Sequence, residues 1–340
     1  MSSSTEVLVI GAGVLGLSTA AELLRRGHAV TVVDPGSGNA SAVAAGMIAP
    51  AFEALADWRA SDGQLDRSDL FRAARSQWSA FAAAFDLPLH REGAEWRGPD
   101  LETVTSQLRW LGFPAERTGD AVVTPADWRT EPDAALTRLR ALPGLTMVSG
   151  RVRDLTLTGD RWTAMLDDGS GLAANTVVLA TGAVGDLALP DTVAPLVARI
   201  QPIRGQIAVT DRVLVDRAVR GPAGYVAPCS GGAVIGATMD ADRTDLEPDL
   251  DRGEILVRAC LAQIGLSEEL AVTWRVGVRG ATPDGLPMAG ASGLAGLHLA
   301  LAPRRNGWLL GPLVARTVAD GIEGRAVGPF GPALEPRRFA

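Results

Sequence analysis

Three glycines at positions 11, 13 and 16, in "GAGVLG", and a carboxylate at Asp34 have the spacing of a site for phosphate and ribose. Gly11 permits a tight turn, Gly13 lets backbone approach a pyrophosphate, and Gly16 lets a helix pack on a strand. The free N–H groups at the N-terminus of the helix that follows meet the phosphate charge. Asp34 stands 18 residues beyond Gly16, at the end of the next apolar run, where a carboxylate accepts both ribose hydroxyls. The set predicts a bound dinucleotide, and NAD and FAD both use it.

A second candidate is Arg279, in "GVRGATPDGLP" at 277 to 287, a stretch with no acidic residue before Asp284. An arginine is costly to bury unless an anion meets it. Arg279 therefore reaches water, pairs with Asp284, or waits for a carboxylate that the chain does not supply. A guanidinium presents two parallel N–H donors that match a carboxylate edge. No Lys occurs in the chain, which excludes a Schiff-base lysine and a P-loop lysine. His28, His90 and His298 are scattered without ligand spacing, and Cys229 and Cys260 lie 31 apart. No metal site is expected, and the cysteines read as ordinary thiols of a reducing compartment. His28 reads as a turn residue between helix and strand.

These residues need elements to position them. "EVLVI" at 6 to 10 is a continuous apolar run, as a strand buried on both faces should be. A helix follows, apolar at 17, 20, 21, 23 and 24 and stopped at Gly27, and "HAVTVVD" supplies a second strand ending on Asp34. This is a βαβ unit. Residues 39 to 50, "NASAVAAGMIAP", are small and mostly uncharged, which suits backbone passing close to a ligand. Residues 52 to 90 read as helical, and another helix starts near Pro132. Short strands with turns at "TGD" and "DDG" follow, then "ANTVVLATGAVG" at 174 to 185, a buried strand entering a glycine turn. Residues 196 to 240 alternate like strands, and the chain closes with a strand, a loop and a helix ending near Gly321 or Gly324.

At 340 residues the chain suits two domains, and with no linker or repeat they are expected to exchange segments. A net charge of -7 with no basic block argues against nucleic acid or an anionic membrane as partner and for a small molecule. No secretory signal and no run of about 18 apolar residues is found, so a soluble, cytoplasmic protein is expected.

The strand ending in "LATG" at 179 to 182 resembles the one that returns beside the first in FAD enzymes of the glutathione-reductase-like group. More specifically, "ASAVAAGMIAP", "GYVAPCSGGAVIGAT", "GVRGATPDGLPMAG" and "RRNGWLLGPLVARTVADGI" resemble, in order and spacing, the D-amino-acid oxidase superfamily, most closely its glycine oxidase branch linked to thiamine biosynthesis. The resemblance spans nearly the whole chain, strongest at 5 to 53 and 200 to 322 and weak from 55 to 125. It implies an α/β fold in which an FAD-binding, Rossmann-like domain (1–50, 131–195 and 276–340) is interleaved with a smaller α+β substrate domain built on an antiparallel sheet (51–130 and 196–275).

The resemblance also implies a site. Arg279 would pair with the substrate carboxylate, Tyr225 would add a hydroxyl to it, and Arg305 would stand near the substrate end of the flavin. FAD contacts are expected from Gly11, Gly13, Val14, Gly16, Asp34, Ser41, Ala45, Gly46, Met47, Val152, Thr181, Gly182, Asn306, Gly307 and Trp308. FAD should be non-covalent, because Gly277 stands where sarcosine oxidases carry the attaching Cys. The implied reaction is oxidative deamination of glycine, a small D-amino acid or an N-substituted glycine, with hydride passing from the α-carbon to flavin N5 and oxygen forming hydrogen peroxide. The positive end of a helix beginning near Gly307 would face charge developing at flavin N1 and O2. Three alternatives stay open: a D-amino-acid dehydrogenase with a non-oxygen acceptor, an NAD(P)-dependent dehydrogenase, and a non-catalytic FAD-binding module. Oligomeric state is also open, a homo-oligomer included. Two departures stand out: Ala302-Pro303 where such sequences usually carry Gly-His, and Trp308 in place of an aliphatic residue.

Overall fold

The computed structural model describes residues 6–36, 38–183 and 186–340; Val184 and Gly185, at the end of the expected glycine turn, lie outside it. The βαβ unit forms as expected. Glu6–Ile10 runs into the helix Val14–Arg25, and Ala29–Asp34 returns parallel to the first strand with Val9 opposite Val32. Their apolar runs are buried because helices cover the sheet. Thr176–Leu179, buried at all four residues, pairs parallel on the other side of Glu6–Ile10. The six-stranded sheet runs Met288–Ala291, Leu297–Leu301, Thr176–Leu179, Glu6–Ile10, Ala29–Asp34, Leu145–Ser149, all parallel but for the antiparallel edge strand Met288–Ala291. His28 sits in the expected turn, buried, with Nε2 3.2 Å from Glu323.

The closing helix begins at Gly307 and ends at Ile322, with Gly324 at φ 65° just beyond. It lies on the first helix, glycine against small side chain: a Cβ on Gly307 would come within 3.1 Å of Val14 and one on Gly311 within 3.2 Å of Ser18 Oγ. This approach brings both helix N-termini to the same end of the sheet.

The second sheet has nine strands. Gln201–Thr210 pairs antiparallel with Gly232–Gly236 on one edge and with Thr273–Ala281 on the other, and beyond Gly232–Gly236 come Gly224–Cys229, Ala218–Gly221, Ala94–Arg97 and Ala121–Thr124. The expected antiparallel sheet is mixed at one place, since Ala94–Arg97 pairs parallel with Ala218–Gly221. Thr273–Ala281 crosses the expected boundary at 276 without a break, pairing along its whole length with Gln201–Thr210. The expected helical stretch 52–90 contains two helices, Pro50–Ala60 and Ser68–Ala84. The helices Leu101–Trp110 and Leu250–Gln263 were not anticipated.

Candidate functional site

The C-terminal ends of the central parallel strands open onto a cleft of about 440 Å³ walled by Gly11, Asp34, Ser41, Val152, Thr181 and Gly182, among others. A second, of about 100 Å³, continues from it, sharing Gly13, Ala40, Ser41, Ala180, Gly182 and Val278. It ends against Arg279, Arg304, Arg305, Gly307 and Trp308. Such a position, at the carboxyl ends of parallel strands, is where doubly wound sheets bind nucleotides.

The glycines hold the cradle open. Gly11 has φ 109°, and a Cβ there would strike the carbonyl oxygen of Ala180. A Cβ on Gly16 would strike the Gly11 carbonyl, so Gly16 serves helix packing, as its spacing suggests. Asp34 accepts from the backbone N–H of Ala12 at 2.7 Å and of Gly36 at 2.8 Å. A carboxylate has about four acceptor sites, so capacity for ribose hydroxyls remains. Ser41 Oγ accepts from the N–H of Val14 at 3.0 Å, fixing the first helical turn at the junction of the two clefts. A long groove with a bare glycine floor, an anion-attracting helix start and a carboxylate at one end fits an extended FAD.

Some of the other expected contacts lie off the walls of both clefts. Ala45, Gly46 and Met47 are not on the cleft walls; Ala40, Ser41 and Ala44 are. Gly46, at φ 69°, is required by packing, since a Cβ would strike the carbonyl oxygen of Thr130, and Met47 pairs in a two-residue strand with Arg129. Asn306 is buried as the residue before the closing helix, its N–H bonded to the Pro303 carbonyl at 2.8 Å, and does not line the cleft. Trp308 packs on Trp78 with ring centroids 6.2 Å apart, donates from Nε1 to the Ser41 carbonyl at 3.1 Å, and also walls the smaller cleft. Ala302 adopts φ 57°, a left-handed backbone, at the position where the resembling sequences usually carry Gly.

At the far end stands Arg279. Asp284 is paired with Arg338 at 2.8 Å, so it does not neutralise Arg279. Among the described residues Arg279 makes no hydrogen bond or ion pair, and its Nη1 is buried without a partner. Burial pulls its pKa below the ordinary arginine value, with the neighbouring Tyr225 working against that shift. The guanidinium lies over Gly205, where any Cβ would collide with it. Tyr225 shares this sheet face. Its partner Gly236 pairs in turn with Ile207, and a Cβ on Gly236 would lie 2.5 Å from the Tyr225 hydroxyl. Burial pushes the Tyr225 hydroxyl up to about 12, so it is a neutral donor, and it has no hydrogen bond to the described residues.

Arg305 is tied into an ion-pair cluster. It lines the smaller cleft, but its Nε is bonded to Glu53 and its Nη2 to Asp57 at 2.8 Å. Glu53 also holds Arg220 at 2.8 Å, and Asp57 holds Arg67 at 2.9 Å. Burial opposes the charge on Glu53, yet Arg305 and Arg220 outweigh it and hold the carboxyl at about 2. Glu53, Asp57 and Arg220 were missed by the sequence reading. Glu53 carries the same signal as Arg279, a lone charge in the apolar "APAFEAL".

The FAD dependent oxidoreductase family matches the chain over residues 6–321. The chain is 29% identical over 382 residues to a glycine oxidase of Pseudomonas aeruginosa, covering 99% of this chain and 98% of that one. It is 26% identical over 363 residues to the bifunctional protein ThiO/ThiG of Synechocystis, and all of it spans 55%, about half, of that longer relative. Among solved structures, the glycine oxidase of Geobacillus kaustophilus superposes with a TM-score of 0.77 at 25% identity, covering 97% of this chain and 98% of that one.

Proposed function

We propose, for a chain that belongs to the FAD dependent oxidoreductase family, that it oxidises a small α-amino acid or N-substituted glycine at the carbon between amine and carboxylate, with oxygen as acceptor. The observation that carries this reading is Arg279, a buried guanidinium with an unpartnered nitrogen on the wall of the smaller cleft. A charge in that position is stable only with an anion supplied from outside. The glycine oxidase relatives support the amine as substrate.

When bound, FAD supplies the acceptor for a hydride from the substrate α-carbon, leaving an imine for water to hydrolyse. The chain's own residues orient and desolvate. Gly11, Gly13, Asp34, Ser41, Val152, Thr181 and Gly182 would hold the dinucleotide along the groove, and Val14, Gly307 and Trp308 would close on the ring end. Arg279 fixes the carboxylate through paired N–H groups, and the neutral Tyr225 hydroxyl donates to the same carboxylate. Arg305, held by Glu53 and Asp57, stands as a rigid positive wall. The N-terminus of Gly307–Ile322 borders the smaller cleft through Gly307 and Trp308, and a helix N-terminus favours negative charge nearby. No Asp, Glu or His lines the smaller cleft among the described residues, in keeping with a reaction that needs a neutral amine and no general base. The six-stranded sheet and its helices form the FAD-binding part in this reading, and the nine-stranded sheet the substrate part.

The test is an anaerobic absorbance titration of the purified flavoprotein with glycine, sarcosine and D- and L-amino acids, followed by exposure to air. Bleaching by an amino acid is the expected result, with colour returning in air. Colour that returns only with an added acceptor would make the enzyme a dehydrogenase; no bleaching by any amino acid would overturn the reading.

A further inference from the structure

We infer that the substrate carries a second carboxylate and that Arg220 receives it. This rests on the reading of the site as an amino-acid oxidase and narrows its substrate class.

Arg220 is the second arginine on this sheet face with an unspent donor. Its Nη2 is bonded to Glu53 at 2.8 Å, while its Nη1 is buried with no partner, in a side chain only 15% exposed. A buried guanidinium N–H without an acceptor is costly, so each of the two seeks an acceptor, and a carboxylate is the strongest one a guanidinium can take. Register places both on one face. Arg279 pairs with Ile203, two residues along from Gly205 and four from Ile207; Ile207 pairs with Gly236, Gly236 with Tyr225, and Tyr225 with Arg220. Directly opposed residues in a ladder point the same way, as do residues two apart on one strand. Both Arg279 and Arg220 bear electrostatically on Tyr225, which lies between them.

The acidic residues nearby are already engaged. Glu53 is shared by Arg305 and Arg220, and Asp57 by Arg305, Arg67 and, at 4.0 Å, Arg304. Asp127 bonds the backbone N–H groups of Ala51 and Phe52, and burial drives its carboxyl up to about 7. The site is left with a surplus of positive charge. Its wall is aromatic: Arg220 stands 5.9 Å over the Phe52 ring, and Phe52 lies 6.1 Å from Trp96. A charge-assisted contact made against such a wall is weakly screened.

Arg279 and Arg220 stand four ladder steps apart across the sheet, roughly 19 Å at ~4.8 Å per step, and four residues apart along it, roughly 13 Å at ~3.3 Å per residue. Arg279 already leans across the first of these steps, over Gly205. A short molecule with a carboxylate at each end, such as a D-amino acid with an acidic side chain or a glycine whose nitrogen carries a carboxymethyl group, would bridge what the two long arginine side chains leave between them.

The holoprotein would be titrated calorimetrically with diglycolate, which has two carboxylates and no oxidisable amine, and with methoxyacetate, which keeps the ether and one carboxylate. Diglycolate should bind at least about tenfold more tightly, and Arg220→Gln should bring the two affinities close together, with Arg220→Lys restoring part of the gap. Equal affinities in the unsubstituted protein would overturn the inference without any variant having to fold. Flavin reduction separates the two levels. Reduction by D-aspartate, D-glutamate or iminodiacetate at lower concentration than by glycine or sarcosine supports a second carboxylate. Reduction by the monocarboxylates alone refutes it and leaves the oxidase reading standing, whereas reduction by neither refutes both.

Discussion

The guanidinium of Arg279 lies over Gly205, in the volume that a side chain at 205 would fill, on the neighbouring strand of the same antiparallel pair. The guanidinium is therefore seated by the absence of a Cβ two residues from its own ladder partner, Ile203.

Gly205→Ala should unseat Arg279 while leaving the dinucleotide groove untouched. We expect KM for the amino acid to rise at least about tenfold, with FAD content unchanged. Steady-state kinetics together with the flavin-to-protein absorbance ratio checks this; an unaltered KM would show that the guanidinium's position does not matter to binding.

Arg279→Ala should retain FAD and lose saturable turnover. A charge-assisted contact of this kind is worth about 1.5–3 kcal/mol, or roughly 10- to 150-fold in kcat/KM, before orientation is counted. Near-native kinetics in this variant would remove Arg279 from the site.

Asp127 makes stability depend on pH with a defined sign. Burial raises its folded carboxyl from an ordinary 3.8 to about 7. The folded protein therefore keeps a proton that the unfolded chain has released, so the contribution is complete below pH 3.8 and disappears as pH rises through about 7. The linkage is on the order of 4 kcal/mol. Urea unfolding between pH 4.5 and 7.5 should show Asp127→Asn gaining stability relative to the unsubstituted protein as pH rises. A constant difference across the window would contradict the assignment.

Ala302 is buried and held at φ 57°, a conformation that costs an L-residue about 1–2 kcal/mol and glycine almost nothing. Ala302→Gly should therefore raise stability by about 1 kcal/mol, read as a higher thermal midpoint in the FAD-loaded protein. A lower midpoint would mean that the methyl group's packing outweighs the backbone strain.

The nucleotide cradle was legible because its signals are local. Gly11, Gly13, Gly16 and Asp34 lie within one βαβ unit, and chain spacing alone puts them at one sheet end. The "ATG" strand read correctly as the neighbour of the first. The segment 45 to 47 shows how ambiguous such a signal is: small residues that tolerate a close ligand equally tolerate close backbone, and Gly46 packs on Thr130. Nothing adjacent in the chain reveals that Glu53, 252 residues away, binds Arg305.

By itself the sequence determined the dinucleotide fold, the likeness to FAD-dependent amino-acid oxidases, and the suspicion that Arg279 lacks an internal partner. Apolar runs, glycine spacing and an isolated charge are properties of short windows, and short windows are what a sequence displays. Tertiary structure alone decided which charges are already neutralised. Asp284 is taken by Arg338, Arg305 by Glu53 and Asp57, and the buried donors of Arg279 and Arg220 are left over. Pairing and burial are sums over contacts between distant segments, and such sums leave no periodic trace along the chain.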